Sequence, residues 1–476
     1  MEGYTYIMTK SLILTLALFM LASVAVGRAE EASLSPAEML AQARNMTTLQ
    51  LFDTGDTEAT LVAAREAVQA NVEQLGDGHE QTAAARFNLA IVLSLTTAYE
   101  EAEQLHKQAL AARRALPGGE EAVADSLLAL GQMNRNRGHY ADAEAQMLEA
   151  LALRKELHAP ETFPIAQVHD ELSRLYRVQD RFAQAEEHEL IALRTFEVNL
   201  GPSHPLVADR LRELALIHHN ARAYDKAESY YLRAYYIVEA AYGSEAVLTG
   251  RALGNLAALY RDKQDIERAR TYYERSLTAK RAALGRTHPE VGVTLRDFGR
   301  LELEVGDWAA AEDLLNQAVA LLETALGPDS QAVAGTLGRL AELYIADSRF
   351  TEAEGLLTRA LAIWESALDP RHPAVAGALS SLAMVHIRQN RFAEAASLQA
   401  RAATILEDAL GAQHADVATA LSNLAAARQG EGKREEARDL YARVLVIREA
   451  VLAPDHPLIA VARDALAAVD TAEEGD

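Results

Sequence analysis

Residues 372–411 read HPAVAGALSSLAMVHIRQNRFAEAASLQARAATILEDALG and hold one complete copy of a pattern that runs through most of the chain. Phe392 marks a turn position, with Ala395 three residues after it and Ala402 ten residues after it. Leu382 stands ten residues before the turn, and the small residue Ala383 follows it at once. Small side chains at these positions let two helices cross at close range, so the stretch predicts two packed helices joined by a tight turn.

The pattern returns every 41 or 42 residues. Its turn positions are Thr57, Tyr99, Tyr140, Phe182, Tyr224, Ile266, Trp308, Phe350, Phe392 and Arg434. An alanine stands three residues after each of them except the first, where the residue is Thr60. A fixed period of 20 to 50 residues indicates a solenoid or a propeller.

The spacing of apolar residues distinguishes these two architectures. Leu357, Leu361 and Trp364 recur at helical intervals, and no unit shows the alternation of a strand. Each unit is therefore predicted to be an antiparallel hairpin of a helix A and a helix B, which makes the fold class all-α. Helix B is predicted to end at a glycine that closes the helix in a left-handed conformation, at Gly76, Gly201, Gly243, Gly285, Gly327 and Gly411. Helix A is predicted to begin at a proline in four units, at Pro205, Pro289, Pro373 and Pro457.

The unit resembles the tetratricopeptide repeat, and its 42-residue length resembles the kinesin light chain type of that repeat. The resemblance rests on the core L-A-x7-R-F-x-E-A and covers roughly residues 57–457. It implies a right-handed superhelical solenoid whose inner wall is built from helix A and binds extended or helical segments of partner proteins. The departures from the repeat pattern are Thr60, Ile266 and Arg434, together with His218, Glu302, His386 and Arg428 where tyrosine is usual.

The repeat register also predicts the organisation of the chain. Residues 1–29 are expected to be a signal peptide, and 30–78 to hold capping helices and a degenerate first repeat. Nine repeats are expected over 79–455, a capping helix over 456–470, and an acidic disordered tail over 471–476, since a repeat array needs polar-faced terminal elements.

The signal peptide is predicted from the apolar run SLILTLALFMLASVAVG between Lys10 and Arg28. Its 17 residues carry no charge, but a membrane-spanning helix needs about 20. Gly27 and Ala29 are small residues at positions that flank a signal-peptidase cut, which predicts cleavage after Ala29, with Ala25 as the alternative.

The apolar run leaves two further questions open. Translation begins at Met1 or at Met8, where M-T-K leads directly into the run. The segment is either cleaved or retained as a membrane anchor. Both alternatives place the rest of the protein outside the cytoplasm, in the periplasm or cell envelope of a bacterium, and contact with the membrane is expected only if the segment is uncleaved.

Composition excludes several classes of function. Half of the 476 residues are hydrophobic and 24% are charged, which is typical of a globular protein. The formal net charge of −23 repels phosphate backbones, so nucleic acid is not expected as a partner. The absence of cysteine excludes disulfides, thiolate metal sites and cysteine nucleophiles.

No motif predicts catalysis, a cofactor or a metal site. The stretch GEGKREE at residues 430–436 lacks the strand and the spacing of a phosphate-binding loop. Six histidines precede helix A in separate units and are interpreted as helix caps: His79, His204, His288, His372, His414 and His456. A tyrosine-rich stretch is interpreted either as core or as an exposed adhesive patch; it comprises Tyr224, Tyr230, Tyr231, Tyr235, Tyr236 and Tyr242, with Tyr272 and Tyr273 in the next unit.

The inner wall offers the candidate binding residues. The position eleven residues before each turn faces inward and holds Asn88, Ala129, Glu171, Glu213, Asn255, Asp297, Arg339, Ser381 and Asn423. Neighbouring inward positions make the wall acidic first, at Asp125, Asp170 and Asp209, and then basic. The basic part is the predicted partner-binding site, formed by Arg251, Asn255, Arg296, Arg300 and Arg339.

These arginines are expected to hold an acidic segment or a C-terminal carboxylate of the partner, because guanidinium groups bind carboxylates in bidentate fashion. The arrangement resembles the carboxylate clamp of chaperone-binding tetratricopeptide domains. The alternative is a solvated face whose charges pair with one another. The sequence thus favours a non-catalytic scaffold for protein partners, and the alternatives are a regulatory or recruiting subunit of an envelope enzyme and an anchored structural protein.

Overall fold

The computed structural model describes residues 34–54, 57–95, 98–451 and 456–471. These residues form 21 α-helices and no strand. The predicted signal segment and residues 472–476 of the predicted tail lie outside the described residues. The chain divides into two compact units, Met1–Ala221 and Arg222–Asp476.

Nine helices belong to the first unit: α1 Pro36–Thr54, α2 Thr57–Leu75, α3 Glu80–Leu95, α4 Tyr99–Ala115, α5 Glu120–Asn136, α6 Tyr140–Leu157, α7 Phe163–Val178, α8 Phe182–Leu200 and α9 Pro205–Asn220. The hairpins α1–α2, α3–α4, α5–α6 and α7–α8 each pack closely, and α9 packs on α8. The helices A of neighbouring repeats, α3, α5, α7 and α9, also contact one another in sequence.

Twelve helices belong to the second unit: α10 Tyr224–Tyr242, α11 Val247–Asp262, α12 Ile266–Leu284, α13 Pro289–Val305, α14 Trp308–Leu326, α15 Gln331–Ala346, α16 Phe350–Ala367, α17 Pro373–Arg388, α18 Phe392–Leu410, α19 Ala415–Gly430, α20 Arg434–Val451 and α21 Pro457–Thr471. The hairpins run from α11–α12 to α19–α20, and α21 packs on α20. The helices A from α11 to α19 contact one another in order. The prediction of an all-α array of helix hairpins is confirmed.

Small residues hold the hairpins together. The alanine three residues after the turn position is fully buried in all nine repeats that carry it, from Ala102 to Ala437. A Cβ atom added to Gly131 would lie 2.7 Å from Cγ of Met147, and one added to Gly299 would lie 2.8 Å from Cγ of Leu315. Because these distances leave no room for a side chain, the helix crossing requires the small residues that the repeat supplies.

The helix ends follow the predicted signals. The six glycines that close helix B have φ between 86° and 89°. The six predicted capping histidines each accept a hydrogen bond at Nδ1 from the backbone N–H two residues later, at 3.1 to 3.2 Å. Their interpretation as helix caps is confirmed.

Neighbouring repeats are joined by a recurring polar pair. Three helix A tyrosines donate a hydrogen bond to a glutamate on helix B of the repeat before: Tyr176 to Glu144 at 2.9 Å, Tyr260 to Glu228 at 2.7 Å, and Tyr344 to Glu312 at 3.0 Å. Where Glu302 replaces the tyrosine, Arg270 replaces the glutamate and donates to both carboxylate oxygens at 2.8 and 2.6 Å. The departure at Glu302 therefore preserves the connection between repeats. The carboxylate now lies on helix A and its hydrogen-bond donor lies on helix B.

Within the described residues, no helix combines the length and the hydropathy that crossing a membrane requires.

Candidate partner-binding face

The five predicted binding residues all lie on helices A of the second unit. Arg251 and Asn255 are one helical turn apart on α11, and both are half-buried. Arg296 and Arg300 are one turn apart on α13, and Arg339 lies on α15. Contacts from α11 to α13 and from α13 to α15 bring these helices side by side, as the repeat register predicts.

Each of the four arginines already binds a carboxylate of the chain. Arg251 grips Glu290 through Nε at 3.0 Å and through Nη2. Arg296 donates to Asp297 at 3.0 and 2.9 Å. The remaining two bind one turn along their own helices, Arg300 to Glu304 at 2.8 Å and Arg339 to Glu342 at 2.7 and 2.9 Å.

Two of these carboxylates, Glu290 and Asp297, are held in their charged form by these contacts. Burial alone raises the pKa of Glu290, but its hydrogen bond and charge interaction with Arg251 outweigh burial and lower that pKa. The pKa of Asp297 is likewise lowered because Arg296 outweighs the effect of burial. An acidic ligand at these arginines would have to displace carboxylates that are already in place.

The inner face of the first unit is filled by its own ion pairs. Arg174 contacts Asp170 at 2.9 Å and Glu213 at 3.3 Å. Further pairs connect the helices, Arg135 with Glu171 between α5 and α7 and Arg210 with Asp170 between α9 and α7, and Arg212 binds Asp209 within α9. The predicted acidic wall is thus a set of internal ion pairs, which agrees with the alternative that the sequence left open.

The second unit also contains an open cavity of about 260 Å³ on the face formed by α15, α17 and α19. Its apolar lining comes from Ile345, Leu357 and Met384. Its polar lining comes from Glu342, Ser380, Ser381 and Asn423. Ser381 and Asn423 are two of the inward positions that the repeat register predicts.

Asn423 is the free polar group of this cavity. Its side chain is half-buried and finds no hydrogen-bond partner within the described part of the chain. Ser381 donates instead to the backbone carbonyl of Gly377 at 3.1 Å, and Ser380 donates to Gln399 at 3.1 Å. The carboxamide of Asn423 can therefore both donate to and accept from a ligand.

Glycines leave the face accessible. A Cβ atom added to Gly338, which lines the cavity, would meet nothing within 4 Å, and the same holds for Gly377 on α17. Glycine inside a helix lowers the stability of the helix by about 1 kcal/mol relative to alanine, so a glycine at such a position indicates a packing or functional requirement. Both glycines are visible in the sequence, but the predicted site was based mainly on charged residues.

The tyrosine-rich stretch divides between the two interpretations. Tyr231, Tyr235 and Tyr273 are buried, as expected for packing between helices. Tyr236 and Tyr242 are 61% and 50% exposed at the surface of α10. Among the described residues, no three acidic or histidine side chains are placed to hold a metal ion.

Comparison with known families finds the tetratricopeptide repeat. One model of this repeat matches residues 49–115, 211–282, 248–324, 332–408 and 416–476, which together exceed half of the chain. A second model of the same repeat matches residues 123–162. No curated protein matches the sequence.

Several solved structures are similar to this chain. BtubC (BKLC) from P. vanneervenii is 23% identical, with 47% of this chain and 90% of that chain covered and a TM-score of 0.40. A putative kinesin light chain with nearly identical repeats from Podosopora anserina is 25% identical, with 42% and 93% covered and a TM-score of 0.38.

A Rap protein complexed with competence and sporulation factor is 15% identical, with 78% of this chain and 99% of that chain covered and a TM-score of 0.47. The three TM-scores are below 0.5, so these similarities do not indicate what the chain binds.

Proposed function

The chain belongs to the tetratricopeptide repeat family, and we propose that the helix A face of its second unit binds a segment of a partner protein as a non-catalytic scaffold. Tetratricopeptide repeats are protein-binding modules and are typically without catalytic activity. The observation that carries the proposal is the open cavity on α15, α17 and α19, beside which Asn423 keeps an unused carboxamide.

The contrast between the two units supports this location. The corresponding face of the first unit is occupied by ion pairs among its own residues, with Arg210 and Glu213 only 4% and 3% exposed. A partner would have to break those pairs to bind there, and breaking a buried ion pair costs about 3 to 5 kcal/mol. The cavity of the second unit presents no such barrier.

The predicted site at Arg251, Asn255, Arg296, Arg300 and Arg339 stays a prediction. An acidic segment could bind there only by exchange, in which its carboxylates replace Glu290, Asp297, Glu304 or Glu342 on the arginines. Such exchange is sensitive to salt, since Coulomb interactions at the surface are screened at high ionic strength.

We also propose that the protein acts outside the cytoplasm, in the periplasm or cell envelope of a bacterium. This part rests on the uncharged run of 17 residues and on Gly27 and Ala29 behind it. The partner is accordingly sought among exported proteins.

Crosslinking in the cells that make the protein tests the scaffold function. The tagged full chain is crosslinked, purified and analysed for captured proteins, and the strongest candidate is then mixed with the purified chain. We expect a stable complex of defined stoichiometry between the two purified proteins. If no captured protein binds the purified chain directly, the scaffold function is wrong.

A further inference from the structure

We propose that the cavity on α15, α17 and α19 takes an uncharged, extended peptide segment that inserts one apolar side chain, and not an acidic one. This inference rests on the proposed function, because it specifies the chemistry of the segment that the scaffold binds. Charge, volume, hydrogen bonding and the neighbouring surface each point to this ligand.

Charge is the first argument. Glu342 is the only charged residue among those that line the cavity, and both of its carboxylate oxygens accept from Nη1 of Arg339, at 2.7 and 2.9 Å. The lining therefore offers no free cation to a carboxylate and no free anion to a lysine or arginine. Because an unpaired charge is costly to remove from water, a neutral segment fits this cavity best.

Volume is the second argument. The cavity measures about 260 Å³, which is less than the roughly 300 to 1,000 Å³ of typical small-molecule sites. Of its apolar lining residues, Leu357 is 2% exposed, and Ile345 and Met384 are half-buried. This space suits one apolar side chain, and methionine in the wall adapts to the shape of what enters.

Hydrogen bonding is the third argument. The carboxamide of Asn423 has no partner in the described part of the chain and can pair with one peptide group of a ligand, through its N–H and its C=O. A helix uses its peptide groups internally except at its ends, so this pairing favours an extended segment. The bare backbone at Gly338 and Gly377 lets the main chain of the ligand approach closely.

The surface next to the cavity also exposes apolar side chains. Val461 on α21 occupies the repeat position of Thr419, one repeat earlier, and of Gly377, two repeats earlier. It is 55% exposed, and Leu458 on the same helix is 41% exposed. A segment that extends from the cavity towards α21 would thus meet apolar side chains.

Selection from a random-peptide library displayed on phage tests the inference on the purified full chain. We expect the enriched peptides to be close to neutral and to share one large apolar residue. Their affinity, measured by fluorescence polarisation, should change less than about twofold when NaCl rises from 0.1 M to 1 M, a change that shortens the screening length from about 10 to about 3 Å.

A matched pair of glycine substitutions supplies the control. Gly338→Phe fills the cavity, whereas Gly355→Phe places the same side chain on the exposed surface of helix α16, where an added Cβ also meets nothing within 4 Å. Both variants should fold, because both exchange a helical glycine with open space around it. Only Gly338→Phe should weaken the selected peptides, by about tenfold or more, and Asn423→Ala should weaken them as well.

Three outcomes would overturn the inference. Peptides that bind Gly338→Phe as tightly as the wild-type chain would mean that the cavity is not their site. Acidic peptides that are lost in Arg300→Glu and weaken steeply with salt would place binding at the arginines, in which case the proposed scaffold function survives and the neutral ligand does not. If no peptide and no partner protein binds at all, the proposed function fails together with the inference.

Discussion

Ala353 tests the repeat register at a single side chain. It is fully buried where the helices of its hairpin cross, and Glu352 beside it forms an exposed ion pair with Arg349 at 3.1 Å. Ala353→Leu should lower the free energy of unfolding by about 1 to 3 kcal/mol, because a well-packed site cannot take three more carbon atoms without strain. Glu352→Leu introduces the same residue on the surface and should change stability by no more than about 0.5 kcal/mol. Equal shifts of the urea midpoint would contradict the register.

His106 makes the stability of the first unit depend on pH. Burial, with a smaller contribution from Arg113, lowers the pKa of this 1% exposed side chain from 6.5 to about 3. At a pH between these two pKa values, His106 binds a proton in the unfolded chain but not in the folded chain. Stability from this group is therefore complete above pH 6.5 and is lost as the pH falls, by up to about 1.4 kcal/mol per unit.

His106→Leu should accordingly reduce the loss of stability between pH 7 and pH 5, measured by urea unfolding at each pH. Leucine suits the position, because Leu315 and Leu357 occupy it in other repeats. Met147→Leu changes the same position in the next repeat without removing a titrating group, so its pH dependence should stay that of the wild-type chain. An unchanged slope in His106→Leu would show that the pKa of this histidine is the same in the folded and in the unfolded chain, which contradicts the prediction.

A recurring polar pair between two helices connects neighbouring repeats, and the pair of Glu302 and Arg270 allows the clearest test. Glu302→Tyr alone leaves Arg270 without its carboxylate, and Arg270→Glu alone sets two carboxylates against each other. The double variant recreates the tyrosine–glutamate pair found at Tyr260 and Glu228. We expect each single variant to lose about 1 to 3 kcal/mol and the double variant to recover most of it. Additive losses in a double-mutant cycle would contradict the exchange of one pair for the other.

The same elements show what the sequence can predict. Helix ends were predictable because their signals are local: a glycine with positive φ closes helix B, and a histidine or proline begins helix A. The partner of Glu302 lies 32 residues away on another helix, so the sequence marked Glu302 as a departure but did not explain it. Comparing the repeats in register, position against position, would have shown the reversed pair.

At the scale of the whole molecule, the repeat predicted the face but not its chemistry. The arginines at 251, 296, 300 and 339 lie on the predicted helices A, but their carboxylate partners could not be inferred from residue type. Arg251 finds Glu290 on the following helix A, 39 residues later. The open part of the face is instead recognised by what it lacks, namely side chains at Gly338 and Gly377 and an unpaired charge among the residues that line the cavity.

Export is a further prediction about the whole chain. The uncharged run before Arg28 should direct the protein out of the cytoplasm, and cleavage after Ala29 should leave Glu30 as the first residue. Intact-mass measurement of the protein recovered from the cell envelope should therefore give a mass that lacks residues 1–29. A mass that retains residues 11–29 would show that the segment is kept as an anchor.

Site-specific photocrosslinking in the native cells tests whether the partner binds the face formed by α15, α17 and α19. A photoreactive residue replaces Ala426, which is exposed on α19 one turn beyond Asn423, and in a second strain it replaces Thr358, which is exposed on α16. We predict one specific crosslinked partner from position 426, and none from position 358. A partner that crosslinks from position 358 and not from position 426 would place binding on the helix B surface and show that the proposed face is wrong.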